Sequence, residues 1–243
     1  ENGPGGSSTI QNYYDKSTAK GVSSYDIPHF LSWATVYELP FGRGKKWLSS
    51  GPASWFLGNW QTNFIFQARS GAPFNLVVTG DLANLRGNPN VGAPNNYLRP
   101  DLIADPFVAG PVAANPDPLC QKTISQGGRA ADEVHTIASW FNPCAFGIPV
   151  GTFGDLGRNV FRGSAVYNMD LSLFKNIQIR EGWKLQLRAE AFNVFNKQNW
   201  DTPANGNLTL NAGNAITTNV GKISNLAQGT TPRQIQFGIR LVY

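Results

Sequence analysis

Five stretches of the chain alternate apolar and polar residues with a period of two. From Phe30 to Leu39, the residues Leu31, Trp33, Thr35, Tyr37 and Leu39 fall on one side and Ser32, Ala34, Val36 and Glu38 on the other. Trp60, Thr62, Phe64, Phe66 and Ala68 likewise alternate with Gln61, Asn63, Ile65, Gln67 and Arg69. Tyr167, Met169, Leu171 and Leu173 oppose Asn168, Asp170 and Ser172, and Trp183, Leu185, Leu187, Ala189 and Ala191 oppose Lys184, Gln186, Arg188 and Glu190. The last stretch sets Ile235, Phe237, Ile239, Leu241 and Tyr243 against Gln234, Gln236, Gly238 and Arg240. Successive side chains of a strand point to opposite faces, so each stretch predicts a strand with one apolar and one polar face.

A soluble antiparallel sheet alternates in the same way, with one face on a core and one in water. Three features favour a membrane instead. Several stretches reach the length of about ten residues that crosses a bilayer at a tilt. Trp60, Trp183 and Tyr243 stand at or near strand ends, where amphipathic rings favour the membrane interface. The connections alternate in length: a modest turn over 40–58, a very long Gly-, Pro- and Asn-rich stretch over 71–162, a tight turn over 176–182, and a second long stretch over 196–231. Outer-membrane barrels have short periplasmic turns and long external loops. With the C-terminus in the periplasm, both long stretches fall outside.

This pattern predicts an all-β, antiparallel transmembrane β-barrel segment of about five strands plus long extracellular loops. The lipid-facing set is Trp33, Tyr37, Trp60, Phe64, Phe66, Leu171, Leu173, Leu185, Leu187, Phe237 and Ile239. The lumen-facing set is Glu38, Gln67, Arg69, Asp170, Lys184, Arg188, Glu190 and Arg240, with cross-strand pairs of opposite charge expected among them. Five strands do not close a membrane barrel, since single-chain barrels begin at about eight. The whole of 1–243 is therefore expected to be the C-terminal part of a larger barrel.

Composition agrees. Charged residues are only 14% of the chain, against roughly 25% in ordinary soluble domains, so part of the surface is expected to face something other than water. The formal charge of +5 comes from scattered Lys and Arg with no basic stripe, which argues against nucleic acid.

The ending "QFGIRLVY" resembles the C-terminal signal by which outer-membrane barrels are recognised for assembly: polar Gln236, then Gly238, apolar Leu241 and terminal aromatic Tyr243. Longer segments, "SSYDIPHFLSWATVYELPFGRGKKWL", "GNWQTNFIFQARSGAPF", "WFNPCAF", "GTFGDLGRNVFRGSAVYNMDLSLFKN" and "LQLRAEAFNVFNKQNW", resemble the C-terminal barrel of TonB-dependent transporters, particularly the Oar-like group. The resemblance covers about 24–74 and 140–243. It implies a barrel of about twenty-two strands around a plug. It also implies assembly by the barrel-assembly machinery, outer-membrane lipid as surroundings, energy from TonB through an N-terminal part not included in this chain, and import of a solute of carbohydrate or peptide class. No cofactor is implied.

Cys120 and Cys144 fall in the long external stretch, where an oxidising compartment favours a disulfide. A metal site lacks further ligands, with His135 the nearby histidine. No catalytic set stands out, so no enzymatic role is expected. His29 reads as a turn or interface residue, the Asp and Asn of "GDLANLRGNPN" from Gly80 as a solvated loop rather than a calcium loop, and Arg43, Lys45 and Lys46 as a solvated hairpin. "NLT" at Asn207 is a glycosylation sequon in form. The alternative reading is a secreted all-β binding module, adhesin or lectin-like, that uses its long loops; a β-rich hydrolase comes third.

Overall fold

The structure is a computed structural model and describes residues 11–79, 98–203, 209–211 and 219–243, apart from positions 13 and 18. The Gly80 loop and Asn207 lie outside the described residues. In chain order the elements are β1 (Phe30–Glu38), α1 (Pro52–Leu57), β2 (Trp60–Arg69), β3 (Pro73–Phe74), β4 (Val77–Thr79) and β5 (Asp101–Leu102). They continue with β6 (Phe146–Gly147), β7 (Phe161–Arg162), β8 (Val166–Arg180), β9 (Trp183–Phe192), β10 (Thr209–Asn211) and β11 (Gln234–Val242). No helix among the described residues is long and apolar enough to cross a membrane. The long elements are strands.

The chain divides into two units, a sheet unit of His29–Ser70, Val166–Asn199 and Gly229–Tyr243, and an aromatic unit formed by the remainder. The sheet unit carries one five-stranded sheet in the order β1-β2-β8-β9-β11, antiparallel throughout. The strands form where period-two alternation predicts them, with one difference of more than a residue or two. β8 runs on through Arg180, with Ile177 opposite Leu185, so the turn expected over 176–182 shrinks to Glu181 and Gly182. Gly182 takes φ 78°, the left-handed conformation that a two-residue hairpin demands. β9 stops at Phe192 because Asn193 adopts φ 48°, and its buried side-chain amide bonds the carbonyls of Lys197 and Thr231 at 3.0 and 2.8 Å.

The strands have two sets of ends. The short connections, β1 to β2 and β8 to β9, join one set, where β11 also finishes. The chain crosses to the aromatic unit and back only at the other set, beside Phe30, Arg69, Val166, Phe192 and Gln234.

The long stretch expected to be loop over 71–162 contributes most of a unit with its own core. Phe74, Phe141, Phe146 and Phe161 pack ring against ring at 5.5 to 6.0 Å, and Leu76, Val78, Leu98, Leu156 and Val220 complete the cluster. Two-residue ladders hold these rings in place: β3 pairs with β7 and β5 with β6. β4 pairs in parallel with β10, over three residues. Burying side chains of this size stabilises by about 1.5 to 3 kcal/mol each, which explains how so little regular structure stays ordered.

Candidate functional site: a polar sheet face and a disulfide-bonded aromatic unit

Register decides which side chains share a face. Trp33 lies opposite Phe66, Thr35 opposite Phe64, Phe64 opposite Leu171, Leu173 opposite Ala189, and Leu187 opposite Ile239. Carried across all five strands, this places Trp33, Tyr37, Trp60, Phe64, Phe66, Leu171, Leu173, Leu185, Leu187, Phe237 and Ile239 on one face. By the same parity Glu38, Gln67, Arg69, Asp170, Lys184, Arg188, Glu190 and Arg240 share the opposite face. A slip of one residue on any strand would have mixed the two sets.

The polar face is held by amides more than by ion pairs. Gln236 donates to Glu190 at 2.6 Å, Arg188 Nε to Gln186 at 2.7 Å, and Gln186 in turn to Asn176 at 2.9 Å. Asp170 accepts from Asn168 and from the backbone N–H of Asn193, both at 2.9 Å. The expected cross-strand pairs of opposite charge do not form. Glu190 faces Ser172 and Gln236, Arg188 faces Phe174 and Gly238, and Asp170 faces Ile65. The reason is spacing: four cations and three carboxylates alternate with Gln, Ser and Asn, so uncharged partners fall opposite each charge. Arg188 instead lies 5.0 Å over the ring of Phe174, which parity puts on the polar face. A charged side chain thereby covers a large ring in the middle of that wall.

One residue breaks the apolar pattern of that face in an informative way. Lys175 shares the side of Leu171 and Leu173, yet is buried. Its ammonium bonds the carbonyls of Trp55 at 2.7 Å, Phe56 at 3.1 Å and Gly58, and sits 5.4 Å over the ring of Trp60. The unsatisfied C-terminal carbonyls of α1 are thus capped by a cation from the neighbouring strand. Trp60 adds its indole N–H to Phe56 at 2.9 Å. The alternation of β8 continues past Leu173 to Lys175, and a lysine at an apolar-face position is the sequence signal for this cap.

The residues of the terminal signature divide between the faces. Gln236 and Gly238 lie on the polar face, whereas Leu241 shares the apolar face and the Tyr243 ring packs on Trp183 at 5.6 Å. A methyl group on Gly238 would meet the Arg188 Cβ at 3.8 Å, an ordinary contact, so nothing in this sheet requires glycine there.

In the aromatic unit Cys120 and Cys144 form a disulfide, with Cα atoms 5.4 Å apart and both residues wholly buried. His135 stacks on Phe107 at 4.8 Å and meets Trp140 edge-on at 5.1 Å, which accounts for it as a packed ring. Asn142 is the polar hub of the unit and was not singled out from sequence. Its Oδ1 accepts from the N–H groups of Ala131 and Cys144 at 3.2 Å, and its Nδ2 donates to Val108 at 3.0 Å and Gly110 at 2.8 Å. Fully buried, it has every capacity of its amide used. Arg162 ties the unit to its N-terminal segment, pairing with the Asp26 carboxylate and donating to the Asp26 carbonyl at 2.9 Å. "WFNPCAF" therefore carries core rings, the hub amide and one half of the disulfide.

A family model described as outer membrane beta barrel domain matches residues 1–236. The chain belongs to the outer membrane β-barrel domain family. The match takes in both units and the start of β11, so the aromatic unit is part of what the barrel domain is, and the protein resides in the outer membrane of a Gram-negative bacterium. Comparison with curated proteins and with solved structures returns no match. For this barrel domain, the polar-parity face of the sheet and the disulfide-bonded aromatic unit are the candidate working parts.

Proposed function

We propose that the chain forms the C-terminal part of the barrel of a TonB-dependent transporter of the Oar-like group. The observation that carries this reading is the two-faced register: an apolar face suited to lipid and a polar face, rich in amide and guanidinium donors, suited to a hydrated lumen. A sheet of this kind with two open edge strands does not rest in lipid alone, because unpaired backbone groups there cost several kcal/mol each. Further strands of the same barrel are the proposed partners of β1 and β11. On this reading Gln236, Gly238, Leu241 and Tyr243 are the assembly signal, the aromatic unit meets an external solute of carbohydrate or peptide class, and import is gated by energy delivered from TonB.

The decisive experiment compares solute uptake by cells carrying the parent gene with and without a functional TonB, alongside the coding sequence upstream of Glu1. TonB-dependent uptake, with a plug and a TonB-contacting segment encoded upstream, is the expected result. Uptake unchanged without TonB, or an upstream sequence lacking any plug, would refute the transporter reading and leave a binding or structural barrel.

A further inference from the structure

The connection between β1 and β2 is built for more than a turn. From Leu39 to Asn59 it contains Arg43, Lys45 and Lys46 and no acidic residue. It is folded: Trp47 donates to the carbonyl of Pro40 at 3.0 Å, Asn59 to that of Phe41 at 2.9 Å, and the Phe41 and Trp47 rings pack at 5.6 Å. Lys45 is engaged by Glu38. Arg43 and Lys46 form no ion pair among the described residues, and Lys46 rests 5.3 Å over Trp47.

On α1 the consecutive residues Trp55, Phe56 and Leu57 are 62%, 71% and 56% exposed. Exposure of three large apolar side chains in a row is costly in water. The helix is nevertheless held there by Lys175 and by Trp60, both on the apolar face of the sheet. Beside it an open basin of about 470 Å³ is lined by Arg43, Ser49, Ser50, Pro52, Trp55 and Phe56. Cationic and hydroxyl donors thus adjoin an apolar ridge at one end of the strands, and the matching occupant carries a phosphate and acyl chains. An amphipathic surface with free cations binds an anionic bilayer in this manner.

We propose that Leu39–Asn59 is an interfacial anchor that binds anionic phospholipid, with the phosphate on Arg43 and Lys46 and the glycerol and upper acyl chains against Trp55, Phe56 and Leu57. The inference rests on the reading that the apolar face of the sheet meets lipid. Lys175 serves the anchor by holding α1 at a set depth.

The test uses the full chain within its parent barrel, reconstituted into vesicles of phosphatidylcholine with or without phosphatidylglycerol. Trp55 quenching by brominated phosphatidylglycerol and by brominated phosphatidylcholine is taken as the difference from Trp55→Phe. Trp33, on the apolar face of the sheet, is treated in the same way. Expected is quenching of Trp55 that favours the anionic lipid, and a preference weakened about 30-fold in Arg43→Gln/Lys46→Gln, at about 1 kcal/mol per cation. Equal quenching by both lipids, or a preference that the double variant keeps, overturns the anchor. If Trp33 is quenched while Trp55 shows no preference, the anchor alone falls. If neither is quenched, the lipid-facing reading falls with it.

Discussion

Opening the Cys120–Cys144 disulfide should loosen the aromatic unit by a calculable amount. The two cysteines are 24 residues apart, and closing a loop of that size removes chain entropy worth about 3.5 kcal/mol at 25 °C. Cys120→Ala/Cys144→Ala is the appropriate change, because serine would leave hydroxyls in a wholly buried site. Trypsin reports the result directly, since Lys122 and Arg129 both lie within the closed loop and Arg129 is held by Asp117 and by the carbonyls of Leu119 and Lys122. Where reclosing outruns cleavage, the rate follows the open population. A loss of about 3.5 kcal/mol therefore predicts about 300-fold faster cutting at these bonds. Cleavage after Arg43 or Lys46, in the other unit, supplies the internal reference and should not change. An acceleration of less than about fivefold, worth roughly 1 kcal/mol, would refute the reasoning and assign the order of the loop to its ring packing.

Three further outcomes are expected. Leu187→Arg should lower barrel stability in bilayers by about 2 to 4 kcal/mol, read from urea unfolding, and an unchanged midpoint would place that face away from lipid. Asn142→Ala strips partners from the carbonyls of Val108 and Gly110 and the N–H of Ala131, and should cost at least about 3 kcal/mol in the stability of the aromatic unit; hydrogen exchange at wild-type rates around Ala131 would contradict it. The Ser125 hydroxyl, then Thr123, holds the Asp132 carboxyl below the usual aspartate range. Its contribution is accordingly present above about pH 4 and lost as pH falls through the depressed value. Carboxyl NMR should find the Asp132 midpoint rising toward the ordinary value in Ser125→Ala, and an unmoved midpoint would dismiss the hydroxyl.

The sheet was legible because parity is cumulative. Over nine to fifteen residues per strand, one slip would put an arginine among leucines, so pattern alone separates Leu187 from Arg188 and Phe237 from Gln236. The hairpin is tighter than the expected turn over 176–182 because Ile177 and Ile179 continue the alternation through the Asn and Gln residues before Arg180. The aromatic unit was not legible as a unit. Its core joins Phe74, Phe141, Phe146 and Phe161 from separate segments, and its ladders are two or three residues long, too short to leave a period. Lys175 looked like the end of a strand because its partners, three backbone carbonyls, have no side-chain signature.

All passages to and from the aromatic unit leave the sheet by one set of strand ends, while the other set is closed by the 181–182 hairpin and the folded 39–59 turn. Two of the four pairings in the sheet, β1 with β2 and β8 with β9, are thus closed by short connections of their own, whereas β2 with β8 and β9 with β11 are joined through the aromatic unit. None of the register partners within the five-stranded sheet comes from 71–165 or 200–228, so a side chain exchanged there replaces none of them. The sheet and the aromatic unit are therefore free to drift at different speeds within a single chain.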